Sequence, residues 1–421
     1  MTASQIGYGN IHARVKCFLS GWHRTAVGAV AWMILCLLAA QRLRSAALAR
    51  AIPVEMPGSA RSRVRRIQRG WHGPPLPQEI LTPHLIRTAL ALRAPNAPVI
   101  VALDTTRVGR WEIWQAGIVF AGHTLPVAWA VIPYPWPKGR FRQTTVALVE
   151  HLAAAFPPGH PWTLVADRGF PSAYLFGKLL AQKTGWTVRL RLSDWVSVEG
   201  IYAAVRDHLA SGRLRPGERV AAQIGRGTPA QPFVAAGIVV NAAIPAVPRH
   251  KQNAGTRRER EARAKAHAKH LAQKGRTSKP PSAIAQRYAQ TWVLFTTAAT
   301  VAEAVGQYAA RMAIEQTFRE WHHGWDLRAA ALDLTDERAV LRMVGIVCLA
   351  YHLQVAVGMR FSQDPRGQAR RAQWTVSDRV SFFWCAQHMF TDAGADWTDW
   401  LAHAWDPPST PAPAIPPAEA A

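Results

Sequence analysis

Two apolar runs, each ending in an aspartate, constrain the fold of this chain most strongly. Residues 99–106 read VIVALDTT, and residues 162–171 read WTLVADRGFP. Short runs of β-branched and aliphatic residues are typical of strands buried inside a sheet. Each strand carries an acid, Asp104 or Asp167, to its carboxyl end, where loops leave the sheet and polar groups can reach a ligand. The pattern predicts an α/β fold with both acids at one sheet edge.

The segments around these runs indicate the order of the elements. Residues 111–132 alternate apolar and polar side chains on both sides of Ala121-Gly122-His123, which predicts a hairpin. A basic loop is predicted at residues 138–142. The elements predicted after it are helix, strand, helix and strand, at residues 144–155, 162–166, 172–183 and 187–192. Three antiparallel strands are thus followed by helix, strand, helix and strand.

A third acid lies in residues 307–327, which read QYAARMAIEQTFREWHHGWDL. If this stretch is one helix, five polar side chains fall within a stripe about 80° wide. They are Tyr308, Arg311, Glu315, Arg319 and His322. A core stripe would be apolar, so packing explains this face poorly. The alternative is a solvated face on which Arg311 and Glu315 form an i,i+4 pair.

Asp104, Asp167 and Glu315 form a candidate carboxylate triad. Mg²⁺ prefers oxygen ligands, and two such ions about 4 Å apart suit an in-line phosphoryl displacement. The predicted cofactor is therefore a pair of Mg²⁺ ions, for which Mn²⁺ can substitute. The alternative is an accidental triad, and it requires acids that lie far apart; a metal pair requires carboxylates within about 8 Å of one another.

Three motifs in this order carry a family resemblance. ALDTT at Asp104, ADRGF at Asp167 and Tyr308-x2-Arg311-x3-Glu315 resemble the DDE transposases of bacterial insertion sequences. The insertion-sequence-4 group is the most similar, with its signature Tyr-x2-Arg-x3-Glu-x6-Lys. His322 stands where that signature has lysine, so Arg319 or a protonated His322 is expected to make the phosphate contact.

The resemblance implies a fold, an activity and a partner. The fold is a ribonuclease H-like core, a mixed five-stranded sheet with helices, which a β-rich insertion interrupts and a helical DNA-binding region precedes. The activity is metal-dependent cleavage at transposon ends and strand transfer into target DNA, with Tyr308 and Arg311 on phosphates. A hairpin intermediate and a homodimer on DNA are expected. Two alternatives are a nuclease without strand transfer and a catalytically silent DNA-binding protein.

Charge supports a nucleic-acid partner. The chain has 50 Lys and Arg against 26 Asp and Glu, a net charge of +24, which predicts a polyanionic partner. Residues 61–69, RSRVRRIQR, place five arginines around two apolar residues, so one helix face can pack while Arg65, Arg66 and Arg69 meet DNA phosphates. By resemblance this region binds terminal inverted repeats. A solvated helix is the alternative.

Cysteine usage and hydropathy bear on the compartment. The four cysteines, Cys17, Cys36, Cys348 and Cys385, lack CxxC spacing and are expected to be reduced, as in the cytosol. Residues 26–40 offer about 15 apolar positions where a membrane span needs roughly 20, so a buried helix is predicted. No membrane partner and no nucleotide cofactor are expected, since no Walker loop is present. The resemblance implies a bacterial cytoplasmic protein associated with the nucleoid.

Segment lengths suggest the domain organisation. Between Asp167 and Glu315 lie 147 residues, too many for a simple loop. We predict a helical, basic DNA-binding region (1–95), a catalytic core in two parts (96–194 and 298–360), a β-rich insertion (195–297) with a flexible basic segment (249–279), a helical C-terminal region (361–406) and a disordered tail (407–421).

Overall fold

The structure is a computed structural model, and it describes most of the chain. The described residues are 3–19, 21–51, 58–94, 96–229, 231–241, 291–332, 334–371 and 381–391. The predicted basic segment 249–279 and the tail 407–421 lie outside them, as do residues 372–380 and 392–406 of the predicted C-terminal region.

A mixed sheet of ten strands runs through the described residues. The strands are β1 (Val99–Val108), β2 (Trp111–Phe120), β3 (His123–Pro133), β4 (Trp162–Ala166), β5 (Gly185–Arg189), β6 (Trp195–Val198), β7 (Ile201–Ala204), β8 (Arg219–Ile224), β9 (Val234–Asn241) and β10 (Trp292–Thr296). Their order is β3-β2-β1-β4-β5-β10-β9-β8-β6-β7. Strand β4 is parallel to β1 and β5, and the remaining pairs are antiparallel. The predicted mixed α/β class is confirmed.

The five strands predicted for the core occupy one half of this sheet. The strands of the interval 195–297 do not form a separate sheet, because β10 pairs with β5 and carries β9 and its neighbours onto the same ladder. The sheet is therefore twice as wide as the five-stranded one expected. Pairing with β10 satisfies the backbone groups that β5 would otherwise expose at an open edge.

Helices cover the sheet and precede it. They are α1 (Ala3–Phe18), α2 (Arg24–Ala40), α3 (Ser45–Ala51), α4 (Ala60–Trp71), α5 (Gln78–Ala91), α6 (Arg140–Ala155), α7 (Ala173–Ala181), α8 (Val205–Ala210), α9 (Val301–Ala310), α10 (Met312–Arg319), α11 (Leu327–Leu332), α12 (Glu337–Gln363), α13 (Pro365–Arg371) and α14 (Phe382–Thr391). A π-helical turn, Glu320–Gly324, follows α10.

Two neighbouring residues of β2 show which helices cover which face of the sheet. The indole of Trp114 donates a hydrogen bond to the Thr145 hydroxyl of α6, at 3.3 Å. The amide of Gln115 donates to Thr124 at 3.0 Å, and the Thr124 hydroxyl donates to Thr317 of α10. Successive side chains of a strand point to opposite faces. Helices α6 and α10 therefore cover opposite faces.

The predicted hairpin between β2 and β3 is confirmed. Phe120 pairs with His123, and the two turn residues, Ala121 and Gly122, both have positive φ, at 46° and 82°. This left-handed geometry matches the twist of the flanking strands. The predicted loop at residues 138–142 is wrong in part, because α6 already begins at Arg140. Gly139, at φ 81°, starts the helix without a side-chain cap, so the sequence carries no capping signal there.

Helix α12 is the central buried helix. It packs on β3, α2 and α14, and nearly every position from Ala339 to Phe361 is buried. Among the described residues it alone is long and apolar enough to cross a bilayer, and α2 with α3 would pass the same test as one span bent by 94°. Burial inside the protein is the usual state of such a helix in a globular core. The helix predicted at residues 26–40 is α2, and its burial is confirmed.

The single helix expected over residues 307–327 is interrupted twice. Helix α9 ends at Ala310 and α10 begins at Met312, and between them the Arg311 N–H bonds to the Tyr308 carbonyl. After Arg319 the chain widens into the π turn, where the Trp325 N–H reaches back to the Glu320 carbonyl. The widening allows three neighbouring positions, Glu320, Trp321 and Gly324, to be buried together. A 3.6-residue period alone does not reveal such a turn.

Candidate active site

Strand register brings the two aspartates side by side. Strands β1 and β4 run parallel, and Leu103 lies opposite Ala166 as the last pair of their ladder. Asp104 and Asp167 are the next residues along each chain. Neighbouring strands lie about 4.8 Å apart, so these two acids leave the sheet as neighbours.

Asp104 faces the helix that carries the third acid. Its cross-strand partner is Gln115, and directly opposed residues project to the same face of a sheet. Gln115 faces α10 through Thr124 and Thr317. The Asp104 side chain therefore also projects toward α10.

Arg311 joins Asp104 to Glu315. Its Nη1 lies 2.7 Å from Asp104 Oδ2, and its Nη2 lies 2.7 Å from Glu315 Oε1. The guanidinium is only 6% exposed, whereas Glu315 remains half-buried. Because both bonds end on one rigid guanidinium fork, the two bonded carboxylate oxygens lie no more than about 8 Å apart.

Tyr308 holds the remaining acid. Its hydroxyl donates to Asp167 Oδ1 at 2.8 Å, and its buried ring packs edge-on against Trp292 with ring centroids 4.7 Å apart. Arg189 Nη1 approaches the same carboxylate oxygen at 3.9 Å. Arg191 fixes the loop beyond Asp167, since its Nε donates to the Arg168 carbonyl at 2.6 Å. Asp167 is thus surrounded by donors.

The pKa values of the two aspartates are shifted in opposite directions. Burial, together with the smaller effect of the charges of Asp167 and Glu315, raises the pKa of Asp104 to about 6, although Arg311 and the Thr105 N–H act to lower it. Burial also acts to raise the pKa of Asp167, but the Arg168 N–H, the Tyr308 hydroxyl and the nearby arginines outweigh it. The pKa of Asp167 therefore lies below its ordinary value.

The two candidates for the signature lysine differ in charge. His322 Nε2 lies 2.8 Å from Thr106 Oγ1, beside the carboxyl end of β1. Burial, together with the charges of His323 and Arg328, lowers the pKa of His322, so the ring is neutral at pH 7. Arg319 is exposed, and its Nε reaches only the Glu315 carbonyl, at 3.4 Å. Of the two, Arg319 carries the positive charge.

The predicted DNA-binding arginines lie on another element. Helix α4 buries Ile67 and Trp71 and packs mainly on α2, α3 and α12, which leaves Arg65, Arg66 and Arg69 exposed. Two of these arginines line an open cleft of about 570 Å³ between α4 and the segment around Leu334. The structure does not bring the three arginines to the carboxylates.

Three other acids have partners elsewhere. Glu303 accepts a hydrogen bond from the Ala299 N–H at 2.9 Å, and Asp326 pairs with Arg44 at 2.7 Å. Glu320 is fully buried and accepts hydrogen bonds from Gln316 and Ser381, each at 2.8 Å. His123 and Tyr351 complete its surroundings. None of these acids competes with Glu315 for the triad position.

The fit to a divalent metal depends on Arg311. Within the part of the chain that the structure describes, no three His, Cys, Asp or Glu side chains are grouped as ligands of one ion. The Arg311 guanidinium is bonded to both Asp104 and Glu315, so these two carboxylates already stabilise a positive charge between them. The donors of the three acids are all oxygen atoms, which are the ligands that Mg²⁺ prefers. The chemistry of the residues therefore fits such an ion.

Two buried polar atoms support this fit. Gln115 Oε1 and Arg311 Nε have no hydrogen-bond partner among the described residues, although both are shielded from solvent. Buried polar atoms are nearly always paired with protein, water or ligand. One is an acceptor suited to a water of a hydrated ion, and the other is a donor suited to a phosphate oxygen.

Sequence reasoning missed Gln115 and Arg189. Gln115 is fully buried within β2, a strand that is buried at every position instead of on alternate ones as the sequence predicted, and its amide between two apolar neighbours was the available signal. Arg189 ends β5 beside β4, so the strand-end argument used for the aspartates applies to it as well. Both side chains lie near the acids because of the strand register, which cannot be predicted from this sequence alone.

Comparison with known proteins gives one family match. A model of the family described as "Transposase DDE domain" matches residues 118–353, more than half of the chain. The matched range contains Asp167 and Glu315 and begins after Asp104. A search of curated proteins finds no match.

Proposed function

The chain belongs to the transposase DDE domain family, and on that premise we propose that it cuts DNA at the ends of a mobile element and joins them to target DNA. The observation that carries the proposal is the gathering of Asp104, Asp167 and Glu315 around Arg311 and Tyr308. Five residues of the three sequence motifs thus meet at one place. A solvated helix face would produce the i,i+4 pair of Arg311 and Glu315, but not the bonds of Tyr308 to Asp167 and of Arg311 to Asp104.

Asp104, Asp167 and Glu315 are the residues that would hold two Mg²⁺ or Mn²⁺ ions. When bound, such ions activate a nucleophile and stabilise the leaving oxygen of an in-line displacement. Asp104 lies between the other two acids in this arrangement, since it neighbours Asp167 in the sheet and shares Arg311 with Glu315. It is therefore the central acid of the triad, and the one whose loss would disturb the metal-holding residues most.

Arg311 has two alternative partners in this proposal. In the free protein its guanidinium occupies the space between Asp104 and Glu315. A DNA phosphate offers the same bidentate geometry as a carboxylate, and the unpartnered Nε provides a further donor. We propose that Arg311 moves onto a phosphate of bound DNA and so releases both carboxylates. Tyr308 remains with Asp167, and Arg319 replaces the signature lysine.

The remaining expectations from the family resemblance stand as proposals. The order β3-β2-β1-β4-β5 agrees with a ribonuclease H-like core, and the motif at Tyr308 with the insertion-sequence-4 group. Residues 1–95, including Arg65, Arg66 and Arg69, would bind terminal inverted repeats. Cutting two ends in concert requires two active sites, so a homodimer on DNA is proposed, in the bacterial cytoplasm. The basic segment 249–279 of the insertion would contact DNA in this assembly.

A strand-transfer assay tests the function. Labelled duplexes taken from either side of the protein's own gene are incubated with Mg²⁺ and a target plasmid. We expect cut ends and joined products from wild type and from E303Q, a matched control whose acid lies outside the triad. D104N, D167N and E315Q should each lose both products. Cutting without joining would favour a nuclease, and identical products from D104N and wild type would contradict the proposed chemistry.

A further inference from the structure

A basic and aromatic surface lies at the end of the sheet next to the acids. We call it the flanking patch, and it consists of Arg107, Tyr134, Trp136, Lys138, Arg140 and Arg142. Its residues lie at the end of β1, in the connection between β3 and α6, and in the first turn of α6. None of its residues has a role in the triad or in the α4 arginines.

Ring contacts hold the flanking patch together and connect it to the catalytic loop. The Arg107 guanidinium lies 3.5 Å above the Tyr134 ring, and Tyr134 contacts Trp136 with centroids 5.2 Å apart. Trp136 contacts Phe141 at 5.2 Å, and Phe141 contacts the buried Phe170 at 5.4 Å. Phe170 lies three residues after Asp167. The patch is therefore anchored to the loop that carries a catalytic acid.

The cations of the flanking patch are not held in ion pairs within the described ranges, although Glu112 lies opposite Arg107 in the ladder of β1 and β2. Arg107, Lys138, Arg140 and Arg142 are exposed, and none of them forms an ion pair with a described residue. A merely solvated surface would explain the charges but not the indole among them. Trp136 is 39% exposed, although an apolar cluster is directly beside it. Unpaired cations around an exposed aromatic ring are the composition of a surface that binds nucleic acid.

The position of the patch suits DNA that reaches past the acids. Arg107 lies three residues beyond Asp104 in β1, which puts its backbone roughly 10 Å away. The patch lies on the side of α6, since Phe141 of that helix packs on Trp114, whereas the carboxylates face α10. Duplex DNA carries a charge about every 1.7 Å of its axis. A duplex whose reacting phosphate is at Asp104 therefore presents further phosphates across this distance.

We propose that the flanking patch binds the DNA adjoining the reacting phosphate, with its cations on backbone phosphates and Trp136 stacked on an unpaired base. The inference rests on the proposed function for the identity of its ligand. Charge complementarity favours DNA over a neutral partner. The ring contacts hold the Trp136 indole in place before binding, so stacking requires little reordering of the side chain.

Binding measured without divalent metal tests the cationic part. The probe is a labelled duplex of arbitrary sequence, titrated at several salt concentrations with wild type and with K138A/R140A/R142A. Each lost phosphate contact lowers the salt slope by about 0.9, so we expect a slope smaller by about 2 to 3. The matched control is R206A/R215A/R366A, which removes the same charge from arginines that pair with Asp207, Glu218 and Asp364. Its slope should exceed that of the patch variant.

A forked duplex tests Trp136. It carries 2-aminopurine at the first unpaired base, whose fluorescence is quenched by stacking. We expect quenching with wild type and W136F, and loss of quenching with roughly tenfold weaker binding for W136A. The affinity for a fully paired duplex should differ less between W136A and wild type, because such a duplex offers no unpaired base for stacking.

Three results would overturn the inference. The first is an equal salt slope for the patch variant and the control variant, and the second is unchanged quenching with W136A. The third is a patch variant that no longer binds anionic phospholipid vesicles but still binds DNA as wild type does. If wild type does not cut DNA but the patch variants show the predicted losses, the inference about the flanking patch stands and the proposed function fails. If wild type cuts and joins DNA but the patch variants show none of these losses, the proposed function stands and the inference about the flanking patch fails.

Discussion

Arg311 determines what the site can do in the free protein. Its two 2.7 Å bonds hold Asp104 and Glu315 together and offset their negative charge. The sequence predicted the positions of the acids, because strand ends and a helical stripe follow from simple periods. It allowed for the i,i+4 pair of Arg311 with Glu315, but it did not predict the bond of Arg311 to Asp104. Which oxygens a side chain reaches depends on rotamers and register, and neither is a property of spacing.

Removing the Arg311 side chain should leave two carboxylates close together without their cation. We expect R311A to lose about 3 kcal/mol of stability without metal, since a buried charge loses its partner. Mn²⁺ should then raise the melting temperature of R311A more than that of wild type, because no guanidinium has to be displaced. Thermal melts with and without Mn²⁺ measure both effects.

The control for this experiment is R319A, an exposed arginine on the same helix. The free energy of unfolding of R319A should differ from that of wild type by no more than about 0.5 kcal/mol, as for most surface substitutions. An R311A protein that responds to Mn²⁺ no more than wild type would show that Arg311 does not compete with metal.

At the scale of elements, the π turn after α10 serves buried polar packing. It places Glu320 inside the core, where Gln316, Ser381, His123 and Tyr351 all approach its carboxylate. Burial acts to raise the pKa of this carboxyl, but the hydrogen bond and charge of His123 and the other donors outweigh it, so the pKa lies below its ordinary value of 4.5. The sequence offered Glu320 only as one more acid of a presumed helix.

The depressed pKa of Glu320 makes a stability prediction with a definite sign. The ionised form is stabilised in the folded state, so its contribution is complete above pH 4.5 and disappears as the pH falls through the lower folded pKa. We expect E320Q to be less stable than wild type by about 2 kcal/mol at pH 7. The difference should shrink in acid.

Urea unfolding at a series of pH values measures this difference. E303Q, an exposed acid of α9, is the control and should show little change. A constant gap between E320Q and wild type down to pH 3 would contradict the assignment of charge to Glu320.

Contact between α12 and α14 depends on a glycine. A Cβ at Gly358 would lie 1.8 Å from the Phe382 carbonyl oxygen, and backbone cannot move aside as a side chain can. We expect G358A to destabilise the protein by about 3 kcal/mol through overpacking. G306A, in open space on α9, should instead stabilise it by up to about 1 kcal/mol. Denaturant midpoints compare the two, and a neutral G358A would show that α14 does not pack as described.

At the scale of the whole molecule, one sheet connects the strands that carry Asp104 and Asp167 with those of the interval 195–297. The early strands and their hairpin could be predicted because alternation and turn residues are local signals. The joining of β10 to β5 could not, since it pairs residues more than a hundred positions apart. The net charge of +24 likewise indicated a polyanion but not which surface meets it. Register and surface placement are properties of the assembled chain.

The proposed chemistry requires three carboxylates that are distant in the sequence to hold divalent metal at one place beside DNA. Fe²⁺ in place of Mg²⁺ tests it directly, because with ascorbate and peroxide it cleaves the polypeptide wherever it is bound. In the complex with DNA, the account predicts cuts around residues 104, 167 and 315 that excess Mg²⁺ suppresses and D104N abolishes. Cuts confined to other segments, or an unchanged pattern in D104N, would contradict it.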